Sequence, residues 1–490
     1  LKFTNLSKAK RAMMATDAGR KILAGARVRR LRRELGLSQA GMAAELGISA
    51  SYLNLIERNQ RPVTAQVLIR LAEAFNVDPR GFAREEEARL QSELDEMFAD
   101  PLFRAAPVAR DELREFADIA PSVAEAVQRL YTAYRDLKEG GAGASGAQDD
   151  ERGETSSNNN PVDRVRDLIQ SATNHFPELE ARAEALADDI AKTGSDLLPA
   201  LVTRLKEMHG IRVQILPVDV MPSSLRRFDH HRRRLMLSEL VDVHGRTFQT
   251  AYQLALIEWR EVIDAIATRL EPEQSPAKAL LRVSLANYAA AALMMPYQKF
   301  LDAAEALNYD IDVLGARFQA SFEQVAHRLT TLNRTNARGV PFFLIRIDNA
   351  GNVSKRFAAG NFPFSRFGGT CPLWSLHETF SSPGAFMTEI VELPDGAKWF
   401  SIARTVRRAA SAYGDAEGQF AIGLGCELKY ASRLIYARKF DLKAAPATQI
   451  GVNCRLCERE HCAQRAAPPI TRKLRVDESI RGVSPFSFEG

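Results

Sequence analysis

Residues 37–62, LSQAGMAAELGISASYLNLIERNQRP, constrain this chain more than any other stretch. Ser38 is placed to cap a short helix whose apolar Met42, Ala43 and Leu46 share one face. Gly47 ends that helix, where φ > 0 costs glycine least, and Ile48 plugs the turn. Ser49 caps a second helix, Ala50 to Arg58, with Leu53 and Ile56 turned inward, and Pro62 stops the run. Two short helices across a tight turn predict a helix-turn-helix, whose second helix offers small polar groups to the DNA major groove. The expected DNA-facing set is Gln39, Ser49, Ser51, Tyr52, Asn54, Arg58 and Arg61. Gln39 and Arg58 are expected at phosphates, Ser51 and Asn54 at base edges.

Charge follows the same division. Residues 1–84 hold 16 Lys/Arg against 6 Asp/Glu, 16 − 6 = +10; the whole chain carries +5, so the rest carries 5 − 10 = −5. The basic excess sits where DNA phosphate would be. Residues 20–33 place Ile22, Leu23, Ala26, Val28 and Leu31 among seven Lys/Arg, residues 64–77 read as an amphipathic helix, and DPRGF opens a fifth. With these flanks the segment resembles the Xre/lambda-repressor-type five-helix DNA-binding domain.

At 490 residues the chain exceeds one core. Residues 1–19, opening on Leu with no apolar signal stretch, read as a disordered extension with a natural start near Met13 or Met14; 20–84 are the DNA-binding head. Residues 85–138 are helical by period, in Glu85–Met97 and Val123–Leu137, and form a connector suited to homodimerisation, since operators for such readers are two-fold. Residues 139–160, EGGAGASGAQDDERGETSSNNN, are a flexible linker by composition. Helices are expected at 161–170 and 177–190, strands at 211–216 and 233–237, and one long helix at 247–269. From Val340 β-like runs alternate with Gly, Pro, Asn and Asp. The fold class is therefore mainly α with an α+β C-terminal part, divided at 161–335 and 336–490. No apolar run reaches 18 residues, and a cytoplasmic location is expected.

RTFQTAYQLALIE (246–258) and LANYAAAALMMPYQKF (285–300) resemble the zincin-like peptidase domain of the ImmA/IrrE group. Active relatives carry His-Glu-x-x-His there, two imidazoles for zinc and a carboxylate to activate water. Here those positions are Tyr252, Gln253 and Leu256, and the third ligand position falls at Leu285. The resemblance thus implies a degenerate domain without metallopeptidase chemistry, and no catalytic residue is assigned. His230, His231 and His244 precede the predicted helix rather than lining one face of it, and FDHHRRRL reads as a solvated charged turn.

Cys454, Cys457 and Cys462 form C-x2-C-x4-C, a chelating loop. The fourth ligand is expected to be Cys371, whose glycine neighbours admit a close backbone; His461 is the alternative, and Cys426 reads as a buried small hydrophobe. Spacing alone leaves zinc and iron–sulfur open. HRLTTLNR (327–334), GVPFFLIRIDNAGNVSKRF (339–357), FGGTCPLWSLHETF (367–380), IGLGCELKYA (422–431) and GVNCRLCEREHCAQRAAPP (451–469) resemble the short-chain fatty acyl-CoA regulators, and with the head the resemblance covers nearly the whole chain. It implies a transcription factor of propionyl-CoA or related metabolism, an acyl-CoA effector in the C-terminal half, and a [4Fe–4S] cluster rather than zinc. Arg346, Lys355, Arg356 and Arg366 are candidate phosphate partners, and Tyr288, Phe342, Phe364 and Trp374 candidate walls of the acyl slot. His377 has no partnered nucleophile nearby in sequence and reads as structural. The rival readings are an Fe–S redox sensor indifferent to acyl-CoA and an ImmA-like peptidase.

Overall fold

The computed structural model describes residues 25–34, 37–58, 60–75, 85–98, 100–103, 108–120, 123–135 (apart from 125, 129 and 133), 161–360, 362–364, 369–407, 418–469 and 472–488. The extension 1–19, the DPRGF helix and the linker 139–160 lie outside these residues. The chain divides into two compact units, Leu1–Tyr131 and Thr132–Gly490.

In the first unit, α1 (Gly25–Glu34), α2 (Gln39–Glu45), α3 (Ala50–Glu57) and α4 (Ala65–Phe75) enclose Val28, Met42, Leu46, Leu53, Ile56, Val67 and Leu71. The caps are local. The Ser38 hydroxyl accepts the Gly41 N–H at 3.0 Å and Ser49 that of Tyr52 at 3.1 Å. Gly47 takes φ +60° in the turn between them. Helices α5 (Glu85–Phe98) and α6 (Arg110–Ile119) form a separate small core around Leu94, Met97 and Ala117.

The second unit opens with α7 (Pro161–Ser171), α8 (Pro177–Lys192) and α9 (Leu197–His209). A small sheet follows, ordered β1 (Arg212–Leu216), β3 (Arg234–Ser238), β2 (Arg226–Asp229), with β1 and β3 parallel. It turns Val213, Leu235 and Phe228 toward the core of α10 (Val243–Glu258), α11 (Arg260–Leu270) and α12 (Pro276–Met294). The single helix expected at 247–269 is thus two helices. Buried Trp259 (φ −110°, ψ 19°) breaks it, and the apolar period runs across the break because both halves face one core. From Leu285 onward helix α12 is buried on every side except at Asn287. No single described helix is long and apolar enough to cross a membrane; α12 and α13 (Tyr297–Ala306) meet that test only as a pair bent by 61°.

The C-terminal sheet runs in the order β9 (Thr448–Gln449), β6 (Met387–Glu392), β7 (Lys398–Arg407), β8 (Gln419–Glu427), β4 (Phe343–Asp348), β5 (Val353–Ala358). Both faces are covered. Leu344, Phe400, Ile402, Ile422, Leu424 and fully buried Cys426 meet α13, α14 (Ile311–Phe318) and α15 (Phe322–Leu329). Helices 297–329 thus share the sheet's core, which runs across the division expected at 335/336. On the other face Phe343, Ile345, Trp399 and Ala403 lie under irregular chain that carries Phe362, Cys371, Trp374 and Ile450. Gly425 makes this packing possible: a Cβ there would lie 2.5 Å from the Phe343 ring.

Candidate functional site

Three places gather the chemistry-bearing residues. The first is the recognition helix α3. Ser49, Ser51, Arg58 and Arg61 are exposed, and Asn54 is half-buried. Tyr52 is not fully outward, because its ring packs on the head core. Gln39 is half-buried and has partners within the head. Its Nε2 donates to Glu57 Oε2 at 2.8 Å and reaches Asn54 Oδ1 at 3.4 Å. Glu57, unassigned from sequence, has a fully buried side chain that accepts Arg32 Nε at 2.6 Å and Nη2 at 3.1 Å. Arg29 adds a bond to the Glu57 carbonyl at 2.8 Å. Burial opposes the Glu57 charge, but the bonds from Arg32 and Gln39 prevail and hold the carboxyl below its ordinary value. Glu57 thereby fixes Gln39, and Gln39 engages the Asn54 carbonyl oxygen, leaving that residue's NH2 as its remaining donor. The available sequence signal was an acid on the apolar face of α3 with a run of arginines upstream.

The second place is a cleft on the sheet face opposite α13–α15, lined by Ile345, Val353, Arg356, Phe362, Phe364, Thr370, Trp374 and Gly451 among others. Three proposed effector residues, Arg356, Phe364 and Trp374, meet here. Trp374 is fixed by its indole N–H on Ser401 Oγ at 2.8 Å, and Phe362 stacks on Phe343 at 4.0 Å. The structure moves the others away. Tyr288 is buried with its hydroxyl on Glu180, inside a clamp where Arg328 grips Glu180 at 2.6 and 2.8 Å. Phe342 is core packing against Tyr309. Arg346 and Lys355 each donate to Glu323 at 2.8 Å, so that carboxylate already answers both cations. Arg366 lies outside the described residues. Sequence showed the cations but not their long-range partner. Beside Glu323, His327 packs edge-on against Phe357, and burial with Lys355 nearby pushes its pKa down to about 4. His377 contacts the Thr370 hydroxyl at 2.8 Å, and burial lowers its pKa.

The third place is the cysteine loop, which shares a wall with the cleft. Thr370 precedes Cys371, and Ile450, Gly451 and Val452 lead to Cys454. Cys371 and Cys457 are buried; Cys454 and Cys462 are half-buried, and His461 is exposed. A Cβ on Gly451 would lie 2.7 Å from Cys457 Cβ and 2.8 Å from its Sγ. Burial pushes the Cys371 thiol up; N–H groups of Gly451 and Leu373 oppose this, and nearby Cys454 and Cys457 add to it. Among the described residues no three His, Cys, Asp or Glu side chains form a group tight enough for one ion. The setting still suits a thiolate-bound centre. Buried Arg465 donates to the carbonyls of Cys457 at 2.9 Å and Cys454 at 3.3 Å and to that of Arg459, and among the described residues it meets no carboxylate. Its Nε has no partner. A buried cation without a counter-charge is unfavourable, and cysteine thiolates would supply one.

The peptidase-like positions hold no comparable chemistry. Leu285 is fully buried and Leu256 packs on the same core. Arg226 lies 4.0 Å over the Tyr252 ring and donates to Gln253 Oε1 at 2.9 Å. His230 and His231 are exposed in the β2–β3 turn. His244 falls inside the first turn of α10, rather than before that helix, with Nδ1 2.7 Å from the Gln319 carbonyl.

Comparison with known proteins covers the same three regions. Residues 28–82 match the helix-turn-helix family, 206–330 the IrrE N-terminal-like domain, and 331–486 the C-terminal domain of the short-chain fatty acyl coenzyme A regulators. The chain is 41% identical to the transcriptional regulator RamB of Mycobacterium tuberculosis, over 95% of this chain and 98% of that one. It is 37% identical to the propionyl-CoA carboxylase regulator of Cereibacter sphaeroides, over 96% and 99%, and 35% identical to PrpR of M. tuberculosis, over 94% and 95%. A solved structure of an M. tuberculosis transcriptional regulator superposes with a TM-score of 0.63 at 36% identity, covering 67% of this chain and 99% of that one.

Proposed function

The chain belongs to the short-chain fatty acyl-CoA regulators, and from that premise we propose that a short-chain acyl-CoA, held in the C-terminal cleft, sets the affinity of its helix-turn-helix for operator DNA. It is a transcriptional regulator, like these relatives, and not an enzyme. The observation that carries the effector reading is the meeting of Arg356, Phe364 and Trp374 at one small cleft, about 10 Å³ in volume, which must widen to admit a ligand. A guanidinium can grip phosphate and the half-buried Phe364 ring can face an adenine or an acyl chain, while buried Trp374 forms the floor beneath them. One relative's name, propionyl-CoA carboxylase regulator, makes propionyl-CoA the first effector to test. The working species is a homodimer in the cytoplasm, reading a two-fold operator. The middle region is a scaffold derived from a peptidase domain, and Arg226 supplies a cation against Tyr252 and Gln253.

Cys371, Cys454, Cys457 and Cys462 would hold a [4Fe–4S] cluster, with zinc as the alternative. An all-thiolate set suits either, and Arg465 suits an anionic centre. A bound cluster supplies electron-transfer chemistry and a fixed geometry for the loop. The chain's own part is to hold the loop: Arg465 ties the carbonyls of Cys454 and Cys457 together, and Gly451 packs against Cys457. A second reading, a redox sensor, draws on the wall shared by loop and cleft.

Calorimetric titration of the full chain with propionyl-CoA tests the cleft. Phe364→Ala and Arg356→Gln should each weaken binding about ten-fold or more, the loss of a stacking face or a charge-assisted bond. Unchanged affinity in both would remove the ligand from this cleft.

A further inference from the structure

The outer face of the β1-β3-β2 sheet is cationic. Across the ladder Arg212 stands beside Arg234, and Arg234 beside Asp229; two residues along, Gln214, Met236 and Arg227 form the next row of that face. The opposite face gives Val213, Leu235 and Phe228 to the core. The β2–β3 turn adds His230, His231, Arg232 and Arg233, all exposed, as are Arg212 and Arg227. Arg226 points inward to Tyr252 and takes no part.

The lone acid does little to balance this. The Asp229 carboxylate accepts the N–H groups of His231 and Arg232 at 3.0 Å each, which fixes the turn. Among the described residues, Arg212, Arg227, Arg232 and Arg234 form no ion pair, and Arg233 is spent on the His209 carbonyl at 3.0 Å. Like charges side by side on a sheet destabilise it, and neighbouring strands put Arg212 and Arg234 only about 4.8 Å apart. The chain beyond residue 84 carries −5, so this face is not a share of a generally basic surface. An external polyanion would relieve the repulsion.

We propose that this sheet face is a second DNA-contacting surface, which grips the phosphate backbone and reads no sequence. The Arg212–Arg234 pair and Arg227 lie in rows about 7 Å apart along the strands, and guanidinium suits phosphate bidentately. Head and sheet belong to one chain, so a duplex held by the head raises the effective concentration of phosphate for the rest of that chain. The inference rests on the DNA-binding reading of the helix-turn-helix.

The test is the salt dependence of operator binding by the full-length protein, compared with R212Q/R227Q/R234Q. Each lost phosphate contact lowers the slope of log K against log salt by about 0.9, so the loss of affinity between 50 and 200 mM salt should shrink by about 40-fold. Affinity for unrelated DNA should fall in parallel, leaving the specificity ratio unchanged. The Arg→Lys triple variant should keep the slope, which separates charge from folding. An unchanged slope in a folded Gln variant would overturn the proposal, and so would an unchanged slope with a dimer falling to monomers, which would make the face an interface between copies. Wild-type protein that shows no salt-dependent operator binding would instead overturn the DNA reading beneath it.

Discussion

Single buried charges set several of this protein's properties. Glu57 has lost its water and keeps Arg32 and Gln39. Glu57→Gln should destabilise the head by about 3 kcal/mol, since breaking a buried pair leaves the other charge uncompensated. Because its folded pKa lies below the ordinary value, the stabilisation is complete above the carboxylate range and is lost as pH falls through the folded value. Thermal melts of the wild type and E57Q from pH 3 to 7 measure both. His327 works in the same direction at higher pH. Its pKa falls from 6.5 to about 4, so the unfolded chain binds the extra proton between those values. Stability should drop by about 3 kcal/mol as pH falls across that window, and His327→Gln should flatten the drop. Arg465 is the third case. Arg465→Gln should lose the visible chromophore of anaerobically purified protein, whereas Arg465→Lys, which keeps the charge but not the planar fork, should retain part of it. Equal retention by both variants would dismiss the counter-charge.

At the scale of elements, what was local in sequence was legible. The serine caps and the Gly47 turn each depend on residues within a few positions of one another. Long-range matches were not legible. Nothing near Arg346 or Lys355 announces Glu323, and nothing near Tyr288 announces Glu180. Periodicity also hid the break at Trp259, because α10 and α11 bury one continuous stripe. The most consequential element is the short run 450–457, which belongs to both cleft and cysteine loop. Gly451→Ala should disturb both, since its new Cβ would collide with Cys457. Cluster absorbance and acyl-CoA affinity should fall together. If one falls alone, loop and cleft are independent.

At the scale of the whole molecule, the proposed regulation is a linkage between effector and operator. An effector shifts operator affinity only by the difference between its own affinities for the competent and incompetent states, and the effect is reciprocal. The direct measurement is operator binding by anaerobically purified full-length protein, titrated in turn with acetyl-, propionyl- and butyryl-CoA and with free CoA, while the visible spectrum is recorded. One acyl-CoA should change DNA affinity about ten-fold, within the usual range of allosteric coupling, while free CoA does not and absorbance near ~400 nm persists. Identical DNA affinity with and without every acyl-CoA, but loss of binding as the chromophore bleaches, would rule out acyl-CoA control and leave a redox switch in its place.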